Sequence, residues 1–455
     1  MIPVVTPEEM REIDAAALEP ESVLIERAGA AVARVAVEMM GGTYGRRVAV
    51  IAGSGNNGAD GRVAVRRLAR RGVGVTVFGV ADAPRRLPAC DLVIDAAFGT
   101  GLSRPYDAPD PGGSLVLAVD LPSGLDARTG ELLGDPMSAD VTVTFGALKP
   151  GLVLGHGLRC CGQVRVVDIG LDVRRATIGL VTDDDVASSW PVRSVDAHKW
   201  NGAVWVVGGS AGMTGAPTLA ARGAQAAGAG YVRLSVPGEP TPAHAPIEAV
   251  AVAIPSEGWA DVVAADLDRI GAVVLGPGLG RSTDAVAGVV ALVGLATCPM
   301  VVDGDALSAI VDAEPFDPAS SIVLTPHEGE FRRLTGHDVG PDRIAEVREL
   351  AASRRATVLL KGPTTLIAAS DGRVALVTSG DQRLATAGTG DVLSGMIGAL
   401  LANGLEPFDA ARLAAHVHGL AGRRGPAVGT VASDVAAHVP GVLAAIRSSR
   451  AGGDR

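Results

Sequence analysis

One pattern recurs along this chain and limits the folds that it can adopt: a short apolar run, a glycine-rich turn, then an alanine-rich stretch with helical spacing. Five such apolar runs lie in the first third, at residues 46–53, 73–80, 91–98, 114–122 and 139–146. Apolar runs that alternate with helices are typical of parallel strands, because the crossover segments cover both faces of the sheet. The pattern therefore predicts a parallel sheet that is covered on both faces.

The same pattern starts again in the second part of the chain. Apolar runs occur at residues 203–208, 231–236, 272–276, 299–303, 321–325, 356–360 and 364–369, and a long helix is expected from about residue 390. A cluster of charged residues at 168–185 separates the two series. Since 455 residues allow two or three domains of roughly 150 residues or more, we expect two α/β domains, residues 1–175 and 176–450.

Composition excludes several classes of protein. The net charge of −10 argues against general affinity for nucleic acid or an anionic membrane. Four cysteines without a C-x-x-C motif form no disulfide framework, which predicts reduced thiols and a cytoplasmic protein. Glycines interrupt the longest uncharged run, residues 200–221, so it predicts a strand and a loop rather than a membrane helix. We expect small-molecule partners and a homo-oligomer.

A glycine loop with paired asparagines follows the first buried run. The segment GSGNNGADG, residues 53–61, contains Asn56, Asn57 and Asp60 between a predicted strand and a predicted helix. Glycines let the backbone approach a phosphate, and a helix N-terminus offers free N–H groups to an anion. A plain Asx turn is the alternative.

Two aspartates end neighbouring predicted strands. Asp95 and Asp120 should lie beside the glycine loop, because ligands in open parallel sheets bind beyond the carboxyl ends of the strands. Asp120 could instead cap the turn LPSG. Asp95, Ser123 and the side-chain carbonyl of Asn57 would suit a hard monovalent cation, which prefers oxygen ligands.

A second candidate site lies in ATAGTGDVLSG, residues 385–395. Gly388, Thr389 and Gly390 can direct consecutive N–H groups onto one anion, and Asp391 beside them is positioned as a general base. Lys361, one of only three lysines, ends an apolar strand and can reach a phosphate as a point charge. An ordinary capped helix and a solvated surface lysine are the alternatives.

The first part of the chain resembles the NAD(P)H-hydrate epimerase domain, on the ordered motifs GNNGADG, DAAFGTGL, AVDLPSGLDA and TFGALKPG. The resemblance implies a Rossmann-like three-layer α/β/α domain. It also implies that Asp120 contacts the hydrated nucleotide and moves protons, and that Asn57, Asp95 and Ser123 bind potassium. The remaining hydrate-binding positions that it implies are Asn56, Asn57, Gly58, Ala59, Asp60, Gly99, Thr100, Gly101, Leu102, Ser103, Arg104 and Pro105.

The second part resembles the ADP-dependent NAD(P)H-hydrate dehydratase domain of the ribokinase-like superfamily. The motifs are HKW, GGSAGMTGAP, LGPGLGR, VVDGDAL, LTPHEGEF, LKGPTT and ATAGTGDVLSG. The resemblance implies hydrate contacts at Ala216, Gly278, His327 and Asp391. It implies adenine-nucleotide contacts at Lys361, Gly362, Pro363, Thr364, Thr365 and Gly390.

Together the resemblances imply a repair enzyme that interconverts the R and S hydrates of NADH or NADPH and dehydrates the S form. ADP or ATP would be the co-substrate, and magnesium is expected with the nucleotide because phosphoryl transfer uses it. Two alternatives stay open: a ribokinase-like small-molecule kinase for the second domain, and a non-catalytic nucleotide-binding module for the first.

Overall fold

A computed structural model gives the structure of the chain and describes residues 1–242, 244–317 and 321–453. The described residues form two compact units, one from Ile2 to Ile178 and one comprising Met1 and residues 179–455 of the chain. Each unit is an α/β structure with a mainly parallel sheet. No helix in the described ranges is long and apolar enough to cross a membrane.

The first unit alternates strands with helices and loops. Its helices are α1 (Pro7–Ala15), α2 (Glu21–Met40), α3 (Asn56–Ala69) and α4 (Gly157–Cys160), with a 3₁₀ helix at Pro150–Leu152. Its strands are β1 (Ile2–Val4), β2 (Arg47–Ala52), β3 (Gly74–Gly79), β4 (Leu92–Ala96), β5 (Tyr106–Asp107), β6 (Leu115–Val119), β7 (Gly134–Asp135), β8 (Val141–Phe145) and β9 (Gln163–Val167).

A six-stranded sheet in the order β3-β2-β4-β6-β8-β9 organises the first unit, and every pair in it is parallel. Apolar residues of α1, α2 and α3 pack on one face, among them Met10, Ala28 and Leu68. The other face is covered by connecting segments that contribute Leu87 and Met137. Because the strands are parallel, the turns after β2, β4 and β6 meet at one edge.

The second unit begins with β10 (Ile178–Leu180), which continues the chain from the first. Its other strands are β11 (Ala203–Val207), β12 (Tyr231–Ser235), β13 (Val250–Ala251), β14 (Ala272–Leu275), β15 (Met300–Val302), β16 (Ile322–Leu324), β17 (Thr357–Leu360), β18 (Thr365–Ala368) and β19 (Val374–Val377). Its helices are α5 (Asp183–Ser189), α6 (Gly215–Ala226), α7 (Trp259–Ala264), α8 (Thr283–Leu295), α9 (Asp305–Ala309), α10 (Glu328–Thr335), α11 (Arg343–Arg354), α12 (Thr389–Ala402), α13 (Pro407–Arg424) and α14 (Ala432–Gly453), with a 3₁₀ helix at Gln382–Leu384.

The strands of the second unit lie in the order β10-β19-β18-β17-β16-β15-β14-β11-β12-β13. Strands β11 to β17 pair in parallel, whereas β18 is antiparallel to both β17 and β19. Helices α6, α12, α13 and α14 pack against one face. The carboxyl ends of β14 to β17 therefore lie side by side near the start of α12.

The uncharged run at 200–221 forms β11, a turn and the first part of α6. One difference from the sequence-based expectation concerns α3: the helix predicted to follow the segment 53–61 begins within it, at Asn56. Gly58 explains it: a Cβ there would lie 1.9 Å from the carbonyl oxygen of Gly53, so only glycine permits this close first turn.

Candidate active sites

The first candidate site is a cavity of about 710 Å³ within the first unit. It lies where β2, β4 and β6 end and α3 begins, which is the edge that the strand order predicts for a ligand. Its lining includes Asn56, Asn57, Asp60, Gly99, Thr100, Gly101, Leu102 and Asp120. The structure thus brings together the glycine loop, the loop after β4 and the aspartate after β6.

Other residues that the sequence indicated lie outside this lining. They are Gly58, Ala59, Ser103, Arg104, Pro105, Asp95 and Ser123. Gly58 packs closely against the backbone of Gly53, and Asp95 and Ser123 are buried. Their roles in hydrate or cation binding stay predictions.

Lys149 holds Asp120 in place. Lys149 is 1% exposed, and its Nζ donates to Asp120 Oδ1 at 2.6 Å, to Thr144 Oγ1 at 2.8 Å and to the carbonyl of Phe145 at 3.1 Å. Thr144 Oγ1 donates to the same carboxylate oxygen at 2.9 Å. Asp120 itself has a φ of 67°, a left-handed conformation that is uncommon outside glycine and that often marks a functional position.

Lys149 is a site residue that the sequence analysis did not assign. Two signals could have found it, because lysine is so scarce in this chain and because Lys149 lies in the motif TFGALKPG. Asp14, which also lines the cavity, was missed as well.

Asp95, Ser123 and Asn57 carry oxygen atoms of the kind that potassium prefers. Ser123 donates from its backbone N–H to Asp95 Oδ2 at 2.8 Å and from its hydroxyl to Asp95 Oδ1 at 2.7 Å. Both side-chain polar atoms of Asn57 are buried and find no hydrogen-bond partner among the described residues. An unpaired amide oxygen and a buried carboxylate are ligands of the kind that a monovalent cation takes, and such an ion would neutralise Asp95 and satisfy Asn57.

The second candidate site surrounds the N-terminus of α12. Gly388 has a φ of 89° and precedes the helix, so the N–H groups of the first turn point out of its end. A Cβ built on Gly390 would lie 3.2 Å from Lys361 Nζ, so the ammonium group stands directly beside the predicted anion hole. The structure therefore brings the N-terminus of α12 and Lys361 together, although β18 and β19 separate them in the sequence.

The buried carboxylate of Asp303 contacts both Lys361 and helix α12. Asp303, after β15, accepts a hydrogen bond from Lys361 Nζ at 2.8 Å and one from Thr325 Oγ1 at 2.7 Å. Its second oxygen accepts from the hydroxyl of Ser394, which lies one turn after Asp391 on α12. The sequence analysis quoted VVDGDAL but gave Asp303 no role.

The carboxyl groups of Asp391 and Asp303 have pKa values that are shifted in opposite directions. Burial, reinforced by Asp303 and opposed by Lys361, raises the pKa of Asp391 to about 7. Burial also opposes ionisation of Asp303, but Lys361 and the three hydrogen bonds outweigh it and lower its pKa. Asp303 is therefore a permanent carboxylate, while Asp391 can take up a proton near neutral pH, as a general base must.

Glu330 lies near this site, since the charges of Lys361 and Asp303 act on its carboxyl group, and His327 lies at the start of the same helix. His327 caps α10, and its Nδ1 accepts the backbone N–H of Gly329 at 2.9 Å and that of Glu330 at 3.2 Å. With Nδ1 occupied as an acceptor, the neutral ring carries its proton on Nε2. The His327 side chain is exposed, and its Nε2 lies 3.5 Å from Glu330 Oε1.

The remaining predicted contacts fall at two loops. Ala216 and Gly278 approach each other, since a Cβ on Gly278 would lie 3.1 Å from that of Ala216. In the loop after β17, Gly362 and Pro363 are exposed, Thr365 is half-buried and Thr364 is buried. Their contacts with hydrate and nucleotide stay predictions.

No group of three or more His, Cys, Asp or Glu side chains in the described ranges could hold a metal ion.

Two family models match the chain. The model described as YjeF-related protein N-terminus matches residues 21–90 and 80–151, and the model described as NAD(P)H-hydrate dehydratase matches residues 204–439. The bifunctional NAD(P)H-hydrate repair enzyme Nnr of Thermofilum pendens is 37% identical over 88% of this chain and 87% of its own length. The enzyme of the same name from Mycobacterium leprae is 38% identical over 94% of this chain and 96% of its own.

The chain belongs to the bifunctional NAD(P)H-hydrate repair enzyme family. Its two units correspond to the two family models, and the cavity beside Asp120 and the site beside Asp391 fall one in each.

Solved structures support the assignment of the second unit to this family. The ADP/ATP-dependent NAD(P)H-hydrate dehydratase from Bacillus subtilis, co-crystallised with ATP and Mg²⁺, is 30% identical and has a TM-score of 0.51. The alignment covers 58% of this chain and 97% of that one. A ribokinase-like superfamily protein from Enterococcus faecalis matches with a TM-score of 0.53 at 21% identity, which supports the fold alone.

Proposed function

We propose that this protein repairs hydrated NADH and NADPH, with epimerisation in the first unit and nucleotide-dependent dehydration in the second. The observation that carries the proposal is the grouping of Lys361, Asp391 and the N-terminus of α12 at the carboxyl ends of a ribokinase-like sheet. Family membership and the B. subtilis dehydratase structure support the same activity.

Water adds across the 5,6 double bond of the dihydronicotinamide ring and leaves a hydroxyl at C6. Hydroxide is a poor leaving group, so the second unit first converts it into a phosphate. Asp391 accepts the hydroxyl proton while the C6 oxygen forms a bond to the terminal phosphorus of ADP or ATP. The bond from that phosphorus to the bridging oxygen breaks, and AMP or ADP leaves.

Lys361 and the N–H groups at Gly388–Gly390 stabilise negative charge on the transferring phosphoryl group. A magnesium ion that arrives with the nucleotide would neutralise further phosphate charge when bound. The C6–O bond then breaks as the lone pair of the ring nitrogen moves towards C6. Phosphate leaves, and loss of a proton from C5 restores the double bond.

The first unit would prevent half of the hydrate pool from being stranded. Water adds to both faces of C6, but a chiral dehydratase site accepts one epimer. In the cavity beside Asp120, the R and S hydrates would exchange through proton transfers to which Asp120 contributes. Asn57, Asp95 and Ser123 would hold potassium, which would fix the loop after β4 in place.

The experiment incubates the full chain with mixed R and S hydrates, once with ADP and once with ATP, and follows the absorbance of the reduced cofactor. Full recovery supports both activities and shows which nucleotide is used. Recovery of about half would mean that only the second unit is active. Accumulation of a stable phosphorylated product would instead identify a small-molecule kinase.

A further inference from the structure

The cavity of the first unit contains more carboxyl groups than one acid–base residue requires. Its titratable lining residues are Asp14, Glu19, Glu21, Asp60, Asp120 and Lys149. Asp120 is anchored by Lys149 and Thr144. Asp14 is exposed, and Glu21 accepts a hydrogen bond from Asn56. Asp60 differs from the other carboxyl groups of the lining in being buried.

The backbone around Asp60 fixes its position. A Cβ on Gly61 would lie 2.6 Å from that of Ala96 on β4, and a Cβ on Gly29 of α2 would lie 2.6 Å from the carbonyl oxygen of Asp60. This first turn of α3 is therefore held between α2 and the sheet. The Asp60 carboxyl makes no hydrogen bond or ion pair to the described residues, although the residue is only 7% exposed.

An isolated, buried carboxyl group is more stable with its proton on. Burial, together with the charges of Asp120 and Asp14 and against that of Lys149, raises the pKa of Asp60 to about 8. At neutral pH the cavity thus holds a protonated Asp60 together with an Asp120 carboxylate that is bonded to a lysine. Two carboxyl groups in such different environments are typical of an acid and a base.

We propose that Asp60 is the proton donor of the epimerisation, with Asp120 as the matching acceptor; this rests on the proposed function of the first unit. Asp60 gives its proton to the C6 hydroxyl oxygen, and the C6–O bond breaks. The lone pair of the ring nitrogen N1 forms a C6–N1 double bond, and water leaves.

A second water then adds to the opposite face of C6. Its oxygen forms the new C6–O bond, the electron pair returns to N1, and its proton passes to Asp120. One water leaves and one enters, and exchange with solvent returns the proton from Asp120 to Asp60. Each epimerisation therefore replaces the C6 oxygen with one from the solvent.

The test uses the full chain without adenine nucleotide, so that the second unit does not consume the hydrate. R-NADH hydrate is converted in ¹⁸O-labelled water, and the epimers are separated by chromatography. Mass spectrometry then measures the mass of each epimer, and the rate of spontaneous epimerisation is subtracted. We expect one ¹⁸O in each S product. The native rate should fall above about pH 8, where Asp60 loses its proton.

Asp60→Asn should lower kcat by roughly 100-fold or more while KM changes by less than about threefold, since an amide cannot donate this proton. It should also abolish the decline above pH 8. Asp82→Asn, which removes an exposed carboxylate in the turn after β3, is the control and should behave as native.

Three results would overturn the proposal: unlabelled S product from the native protein, no alkaline decline in its rate, or native kcat in Asp60→Asn. The first two need no variant, so the inference stays testable if Asp60→Asn does not fold. A native protein that leaves R hydrate unconverted would contradict the epimerase function itself and not only the role of Asp60.

Discussion

Two neighbours of Asp391 shift its pKa in opposite directions, and this balance suits it to act as a base. The buried carboxylate of Asp303 raises the pKa of Asp391, whereas the ammonium of Lys361 lowers it. Without Lys361, a carboxyl group this deeply buried beside Asp303 would stay protonated at neutral pH and could not accept a proton. The pair Asp303–Lys361 thus places Asp391 in the range where a general base is effective.

The pH dependence of dehydration should report this balance. A general base acts when it is deprotonated, and the pKa of Asp391 is raised to about 7. We therefore expect kcat/KM for S hydrate to rise roughly tenfold per pH unit below pH 7 and to level off above it. Steady-state kinetics at saturating nucleotide measures this.

Asp391→Asn is the corresponding variant. It should lose the rising limb and slow dehydration by roughly 100- to 10,000-fold, while epimerisation by the same chain, which uses the other unit, is retained. Dehydration by Asp391→Asn at the native rate would contradict the assignment of the base.

The contact between Asp303 and Lys361 should also contribute to stability. Asp303 is 3% exposed and Lys361 24% exposed, so either single substitution leaves a poorly solvated charge. We expect Asp303→Asn and Lys361→Met each to lower the free energy of unfolding by roughly 2 kcal/mol, less than for a fully buried pair.

The double variant should lose less than the sum of the two single losses, because it leaves no unpaired charge. Urea denaturation of the four proteins completes the cycle, and both single variants should show a raised KM for nucleotide. Strictly additive losses in stability would mean that the two side chains do not interact.

At the scale of elements, helices α6 and α12 approach each other through glycine. A Cβ on Gly395 would lie 1.8 Å from the carbonyl oxygen of Ala220, and a Cβ on Gly223 would lie 2.1 Å from that of Val392. Glycine at both positions lets the two backbones touch. This contact fixes α12, whose first turn carries Thr389, Gly390 and Asp391.

Gly395→Ala should therefore damage both stability and catalysis. The methyl group forces α12 away from α6, which we expect to cost about 3 kcal/mol and to displace Asp391 enough to lower kcat. Gly294→Ala is the matched control, because nothing lies within 4 Å of a Cβ at that position of α8. It should leave kcat unchanged and raise stability by up to about 1 kcal/mol. Equal stability of the two variants would show that the contact is not tight.

Apolar runs were sufficient to predict most strands, and strand β9 shows where this signal fails. Strand β9, with the sequence QVRVV, pairs on one side only and is interrupted by Arg165, so it lacks a continuous apolar run. Burial on both faces produces such a run, and an edge strand does not require one. Strand β19, with the sequence VALV, is a short apolar run that is fully buried and antiparallel to β18, and the sequence analysis did not assign it.

In both sites the sequence indicated the main functional residues but not the contacts that position them. Glycines, amides and aspartates at strand ends indicated Asn57, Asp120 and Asp391, because the topology of parallel sheets brings such positions together. The contacts that tune them were not predictable. Asp303 and Ser394 are 91 residues apart, and Asp120 and Lys149 are 29 apart, so only the folded chain reveals these contacts.

At the scale of the whole molecule, each site is complete within one unit. Every residue that lines the cavity beside Asp120 lies between residues 10 and 171, and the residues around Asp391 belong to the second unit. Neither arrangement includes a catalytic group from the other. Single substitutions should therefore separate the two activities, without any need to cut the chain.

A mixture of two variants of the full chain, each inactivated in one unit, tests whether the two activities are separable. Asp120→Asn alone should recover about half of a mixed hydrate pool, and Asp391→Asn alone should recover none. Together, with adenine nucleotide present, they should recover the whole pool, because the S hydrate made by one protein diffuses to the other. The second half should recover more slowly as both proteins are diluted, since it then depends on transfer through solution. Recovery that stayed at half would mean that the hydrate must pass between sites of one molecule, or that Asp391→Asn disables both units.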